Sequence, residues 1–399
     1  MDAEVTQYLS ACFVSFCAGP NLHLPVAKKP RGPIEIKLNA KAERLDVPAS
    51  VPLRDVLGHA GPKRVLTDAI ASGRVHHCWI FQGPQGVGKC TTALAFAALL
   101  LDPTTAPDLS GGFLADPDSP VQRMMRAGSH PDVHMIVKEL SAFHPDPDVR
   151  KLKQKTIPID VIREFVIAPA AKAGNVSPGG LASKVFIIDE ADMLAPAGQN
   201  ALLKTLEEPP ARTVLILITT SDELLLPTIR SRSQRLGFAP LSTTEMRQWR
   251  HSSGRSVGPA EEWLGAFSGG APGAFAAAGE VGIYAWWEQL ASLLRAAEKG
   301  EHRVELAPAM WALVDGWAAG WVEAHPQASK ESANRTAADW MMRLLAWWAV
   351  GGIAASPLQA VARIDAIREA ERRLDANVNG LFVMEELAGR LSAAGMATL

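Results

Sequence analysis

Three observations predict an α/β fold built on a parallel sheet, followed by an all-α region. A glycine-rich turn at residues 83–88 sits between a short apolar run and a helix-like run that ends near Leu101. Short apolar runs then alternate with helical periodicity from residue 75 to 240, the pattern of buried strands joined by crossovers into a doubly wound sheet. Beyond Leu241 the strand-like runs stop, and ten of the eleven tryptophans lie in that C-terminal stretch.

The chain of 399 residues is long enough for two or three domains. Its formal net charge of −2 provides no global basic field for nucleic acid, so any such contact would be a local patch. Cys12, Cys17, Cys78 and Cys90 have neither disulfide-framework nor zinc-ligand spacing and suit a reducing interior. No apolar run reaches the roughly 18 residues of a membrane span. Asp2 and Glu4 stand where a secretory signal would be positive, so the sequence reads as a soluble cytoplasmic protein.

Taken in order, residues 1–50 carry no sustained period and read as a disordered extension, with a docking peptide as the alternative; they hold an apolar patch at 11–17 and a basic, proline-punctuated segment at 28–33. Residues 57–70 have helical spacing. His76 and His77 lead into a strand from Cys78 to Phe81; with no third ligand nearby they read as a turn edge rather than a metal site. Residues 102–128, rich in Pro, Asp and Gly, and 141–155 read as irregular. A short strand ends at Val137, and a helix starts near Ile157. Residues 184–188 are an apolar strand whose end carries Asp189 and Glu190. A helix stopped by Pro209 and Pro210 comes next, then an apolar strand at 213–219 and a short strand before Phe238. Ser242 reads as a helix cap, 269–275 separates two helices, and four or five long helices run from Ile283 onward. Tryptophans at helical spacing there predict bundle core rather than a binding box.

The chemistry-bearing stretch is Gly83, Pro84, Gln85, Gly86, Val87, Gly88 and Lys89, with Cys90 and Thr91 next. Glycines let successive N–H groups face one anion, the helix N-terminus adds its positive end, and Lys89 is placed to reach terminal phosphates. The position after the lysine normally carries a hydroxyl for Mg²⁺, a hard cation, and here it is a soft thiol. Thr91 cannot replace it, being turned by roughly 100° along the helix. Asp189 is placed to hold Mg²⁺ through water, and Glu190 to orient an attacking water. Together they describe a loop that cradles phosphate but is poorly built for metal-assisted hydrolysis.

Seven blocks in order resemble one family. They are His76 with His77, and residues 83–89, 128–132, 185–192, 200–209, 226–234 and 377–379. The chain resembles the AAA+ clamp-loader subunits of bacterial DNA polymerase III, most closely their delta-prime branch, from about residue 52 to the C-terminus. The resemblance implies an AAA+ P-loop α/β domain at 51–240, a small helical lid at 241–280, and a helical collar at 281–399 through which five subunits form a ring. It implies that Ser231, Arg232 and Ser233 stand at a Ser-Arg-Cys motif, making Arg232 an arginine finger for nucleotide on the neighbouring subunit. The competing reading of Arg232 is a surface ion-pair residue of little energetic weight. Residues 102–128 lack the four zinc-binding cysteines of the family's motor subunits, and Pro272 is followed by Gly273 where active subunits present a basic residue.

The implied role is therefore an interaction subunit, with Glu190 vestigial and ATP or ADP with Mg²⁺ held at a weak or vestigial site, without zinc. Its implied partners are the gamma/tau and delta subunits, and the sliding clamp and primer-template DNA through the assembled complex, with no membrane. The chain would join the polymerase holoenzyme without a polymerase site of its own. Two alternatives are a working ATPase motor of the gamma/tau kind and an unrelated AAA+ machine such as a branch-migration motor. The latter expects a C-terminal winged helix, whereas residues 358–399 show helical spacing.

Overall fold

A computed structural model describes residues 49–396 apart from 110, 151–155, 173, 175–178, 255–257, 325–328 and 377. The expected N-terminal extension, with its apolar patch and basic segment, lies outside the described residues up to position 48, as does Asn377. Two compact units divide the chain. The first holds the residues up to Gly254 together with the turn Gly270–Gly273.

The first unit is organised by a five-stranded sheet. Its strands are β1 (Cys78–Gln82), β4 (Val133–Ile136), β5 (Lys184–Ile188), β6 (Thr213–Thr219) and β7 (Gln234–Gly237), in the order β4-β5-β6-β1-β7. Every pairing is parallel, with Ile80 opposite Leu217, Ile187 opposite Ile216 and Ile80 opposite Arg235 across the three seams that involve β1 and β6. Parallel strands covered on both faces favour apolar residues at nearly every position, and β5 and β6 are buried throughout, with polar residues only at their ends (Lys184, Thr213 and Thr219). Trp79, Ile80 and Phe81 of β1 are fully buried. Helix α2 (Lys89–Leu101) is apolar nearly all round because it is buried nearly all round, with Phe96 meeting Trp79 edge-on at 5.5 Å.

Three stretches differ from expectation. Helix α1 starts at Ala60 and ends at Ala71, because Gly58 and His59 are left-handed, with φ of 68° and 54°. The described residues of 102–128 form ordered turns and a helix, with one carboxylate tying both ends together. Buried Asp102 accepts from the Thr104 amide (2.9 Å) and hydroxyl (2.7 Å), the Ser119 hydroxyl (2.5 Å) and the Gln122 amide nitrogen (3.1 Å). Burial alone would raise its pKa, yet these bonds hold it below the ordinary value. The same Ser119 caps helix α3 (Pro120–Ala127), and a two-stranded hairpin of β2 (Ala106–Pro107) and β3 (Phe113–Leu114) precedes it. Residues Lys138–Phe143 and Pro147–Arg150 are helical turns rather than irregular chain. The helix beginning at Ile159 contains a π-turn over Arg163–Ile167. The helix ending before the proline pair is α4 (Pro196–Glu207), a short α5 (Pro227–Arg230) leads into β7, and α6 (Thr243–Ser252) begins with Ser242 in a reciprocal capping box with Glu245.

The second unit is all helical. It contains α7 (Pro259–Phe267), most of α8 (Pro272–Val281), and five long helices: α9 (Ile283–Glu298), α10 (Leu306–Ala324), α11 (Lys330–Gly351), α12 (Pro357–Asp375) and α13 (Gly380–Gly395). The main packing seams join α10 to α11, α11 to α12, α12 to α13 and α13 to α10, with α9 against α13. Trp286, Trp340 and Trp348 are buried, and half-buried Trp263 contacts the rings of Phe267, Trp287 and Trp347, so the tryptophans serve packing as their spacing predicted. No described helix is long and apolar enough to cross a membrane.

Candidate phosphate-binding site and a surface arginine

At the C-terminal end of β1 the backbone passes through Gly83, Gly86 and Gly88 at φ of 143°, 76° and 109°, conformations that side-chain-bearing residues rarely adopt. A Cβ at Gly83 would lie 2.1 Å from the Phe238 carbonyl oxygen, so the close strand-to-loop approach also demands glycine there. Gly88 is the N-cap of α2 and Lys89 its first residue, which aims the helix's free N–H groups and positive end at the loop. Lys89 is 6% exposed. Its ammonium group donates to the carbonyls of Gly83 and, at 2.6 Å, Pro84, and burial pulls its pKa down to about 8 against the favourable charge of Asp189.

The next positions explain themselves. Cys90 is half-buried, and burial together with the Asp189 carboxylate pushes its thiol pKa well above the ordinary value, so it presents a neutral S–H rather than an oxygen ligand. Thr92 turns back to the Gly88 carbonyl at 2.9 Å, and Thr91 is half-buried one position away from the metal-facing place. Asp189 directly follows β5; its amide donates to Ile136 O and its carboxylate accepts from the Glu190 amide, both at 2.9 Å. The loop, Lys89, Cys90 and Asp189 thus share the carboxyl edge of the sheet, where open α/β folds bind ligands.

Glu190 follows with a left-handed backbone (φ 54°), and its carboxylate lies 3.6 Å from Lys138 Nζ. The two side chains are 15% and 9% exposed, so this is a mostly desolvated pair. A carboxylate facing an ammonium there is a poor base for water. Gly273 adds a cover: its amide donates to Gly86 O at 2.8 Å, and a Cβ on it would stand 2.8 Å from Gly86 Cα. On the other side His59 Nε2 donates to the Val87 carbonyl at 2.8 Å, its imidazole kept below its ordinary pKa by burial and by Lys63 and Lys89. The residues present fit a phosphate group, through glycine-rich backbone and Lys89, better than they fit a metal, because the position after the lysine presents a thiol and leaves carboxylates such as Asp189 to supply oxygen. Among the described residues no group of three or more His, Cys, Asp or Glu is placed to hold a metal ion.

Arg232 lies elsewhere. It follows α5 and precedes β7, whose Gln234 pairs with Trp79 near the start of β1. The phosphate loop leaves the other end of that strand, four residues on, or about 13 Å away. The Arg232 side chain is 37% exposed; Nη2 pairs with the Glu207 carboxylate at 2.9 Å and Nη1 donates to Thr228 O at 3.1 Å. Ser233 Oγ donates to Ile229 O at 2.7 Å and lies 3.1 Å from Cys78 Sγ, which ties the turn to β1. Sequence reasoning did not single out His59, Lys138 or Glu207 as site residues. His59 and Lys138 reach their partners through the fold rather than through a motif; Glu207 lies in the 200–209 block, whose pattern gave no sign of its pairing with Arg232.

A parallel sheet of this order, with a glycine-rich lysine loop after β1 and an Asp-Glu pair after β5, has the arrangement of a P-loop α/β domain. Residues 58–242, somewhat less than half the chain, match the family described as DNA polymerase III, delta subunit. The Mycobacterium tuberculosis DNA polymerase III subunit gamma/tau is 31% identical over 195 residues, covering 48% of this chain and 29% of that protein. The Bacillus subtilis DNA polymerase III subunit delta' is 33% identical over 182 residues, 45% of this chain and 46% of its own length. A crystal structure of a DNA polymerase III gamma subunit-related protein from Thermotoga maritima aligns with 84% of this chain and 98% of its own at 16% identity and a TM-score of 0.39. The chain spans less than half the length of these curated relatives. Over the α/β domain its resemblance to delta-prime-type subunits, drawn from the motifs, is borne out.

Proposed function

We propose that this chain is a delta-prime-type subunit of a bacterial DNA polymerase III clamp loader, a cytoplasmic ring member that acts on its neighbour's nucleotide more than on its own. The working division is an AAA+ domain at 51–240, a lid at 241–280 and a collar at 281–399. The observation that carries the reading is the position of Arg232: at the surface, and one strand length from its own phosphate loop. A guanidinium so placed cannot serve its own loop but is available to another subunit's phosphates, where it would neutralise charge developing in the transition state.

The same reading gives the chain's own site a weak role. ATP or ADP with Mg²⁺ would supply phosphates for the loop amides and Lys89, with Asp189 toward the metal. Three features oppose turnover: a thiol at Cys90, a Glu190 carboxylate paired with Lys138, and Gly273 in place of a basic residue. Partners under this proposal are gamma/tau and delta subunits, with the sliding clamp and primed DNA reached through the assembled loader; no polymerase chemistry is assigned to this chain.

The second reading, a working motor subunit, is favoured by the retained Lys89, Asp189 and Glu190 and by the gamma/tau relatives. One experiment separates them. The purified chain should show negligible ATPase even with clamp and DNA, and Arg232→Ala should assemble normally while lowering turnover of the reconstituted loader by about 10³-fold at the shared site. Robust turnover by the lone chain favours the motor reading. Unchanged loader turnover with Arg232→Ala removes the finger.

A further inference from the structure

We infer that Glu207 is a positioning residue that holds Arg232 at rest and competes with a neighbour's phosphates for it; the inference rests on the finger reading above. Glu207 is the last residue of α4 and Arg232 the second residue after α5, so two separate elements bring them to 2.9 Å. The guanidinium is gripped from both sides. Nη1 donates to the Thr228 carbonyl of its own turn, and Nη2 meets the Glu207 carboxylate.

These grips differ in kind. The carbonyl bond is local to the turn and can persist when the guanidinium meets another anion. The carboxylate, 53% exposed, is a solvent-screened partner whose attraction is small and salt-dependent. A polyphosphate carries more charge and can accept from the same fork of N–H groups, so it displaces Glu207 from Nη2. Glu207 therefore keeps the long side chain ordered before docking but subtracts from affinity for the shared nucleotide, because its negative charge remains beside the incoming phosphates.

Glu207→Gln keeps size and hydrogen-bonding capacity while removing that charge. In the complete reconstituted loader it should lower the apparent KM for ATP by about two- to five-fold at low salt, the range expected of an exposed pair, with kcat little changed. The gain should shrink at high salt, Glu207→Asp should stay near wild type, and the gain should vanish in an Arg232→Ala background. If Arg232→Ala is itself silent, the finger reading fails. If Arg232→Ala lowers turnover while Glu207→Gln leaves KM unchanged or raises it, the finger stands and the competing role of Glu207 is overturned. A Glu207→Gln gain that survives in Arg232→Ala also overturns it.

Discussion

Lys89→Met should stabilise the free protein at neutral pH, although it removes two hydrogen bonds and the group most able to bind phosphate. Burial lowers the lysine from 10.5 to about 8. At about 1.4 kcal/mol per pH unit, holding it charged in the fold costs about 3 kcal/mol. Methionine has a similar length and no charge to desolvate. The lost bonds go to Gly83 and Pro84 carbonyls, each contributing about 1 kcal/mol, and these half-buried loop groups can turn to water. The net expectation is a gain of about 1–2 kcal/mol at pH 7. The pH dependence gives a sharper test. Below about pH 8 both folded and unfolded lysine carry the proton, so the cost is constant. Between about 8 and 10.5 the folded chain has lost its proton while the unfolded chain keeps it, so wild-type stability rises with pH relative to Lys89→Met. Urea unfolding of both proteins from pH 7 to pH 10 measures this. A destabilised variant at pH 7 whose profile runs parallel to wild type would refute the reasoning.

Lys138→Met should destabilise the fold by about 3 kcal/mol by leaving the Glu190 and Glu139 carboxylates without their shared nearby ammonium, and adding Glu190→Gln should recover part of the loss in urea melts. In the helical unit, burial and the charges of Asp339 and Asp375 raise Glu371 to about 7, against the attraction of Arg343 and Arg368. Asp339, facing Arg343, Arg335 and Asp375, rises to about 6, chiefly through burial. Folded pKa values above the unfolded ones mean that the fold gains stability as pH falls from about 7 toward 4.5. Glu371→Gln should therefore be more stable than wild type at pH 8 by about 1–2 kcal/mol, with the difference shrinking by pH 5 in thermal melts.

Much of the α/β domain was legible in the sequence because its signals are local. Four apolar runs became strands of the sheet, joined at its edge by the more polar β7, and Lys89 and Asp189 share one edge because parallel strands put every C-terminus on the same side. The helical character of residues beyond Leu241 and the packing role of their tryptophans were equally readable from period and composition. The insert at 102–128 was not, because its two ends are joined by a buried carboxylate, Asp102, gathering donors from up to 20 positions away. Lys138 escaped notice for the same reason: an ammonium after a strand is ordinary until the fold sets Glu190 beside it. The Glu207 partnership of Arg232 shows that the two readings weighed for that arginine are compatible, since a surface ion pair can also be a holding contact.

Gly273 has one more consequence. Under the proposed function, a basic side chain at that place would look like a one-codon repair of the site. Yet the first carbon of any side chain there would press on the backbone of Gly86, an obstacle no rotamer can avoid. A side chain at that position therefore demands that the phosphate loop and the turn Gly270–Gly273 move apart first, so the backbone itself resists substitution there.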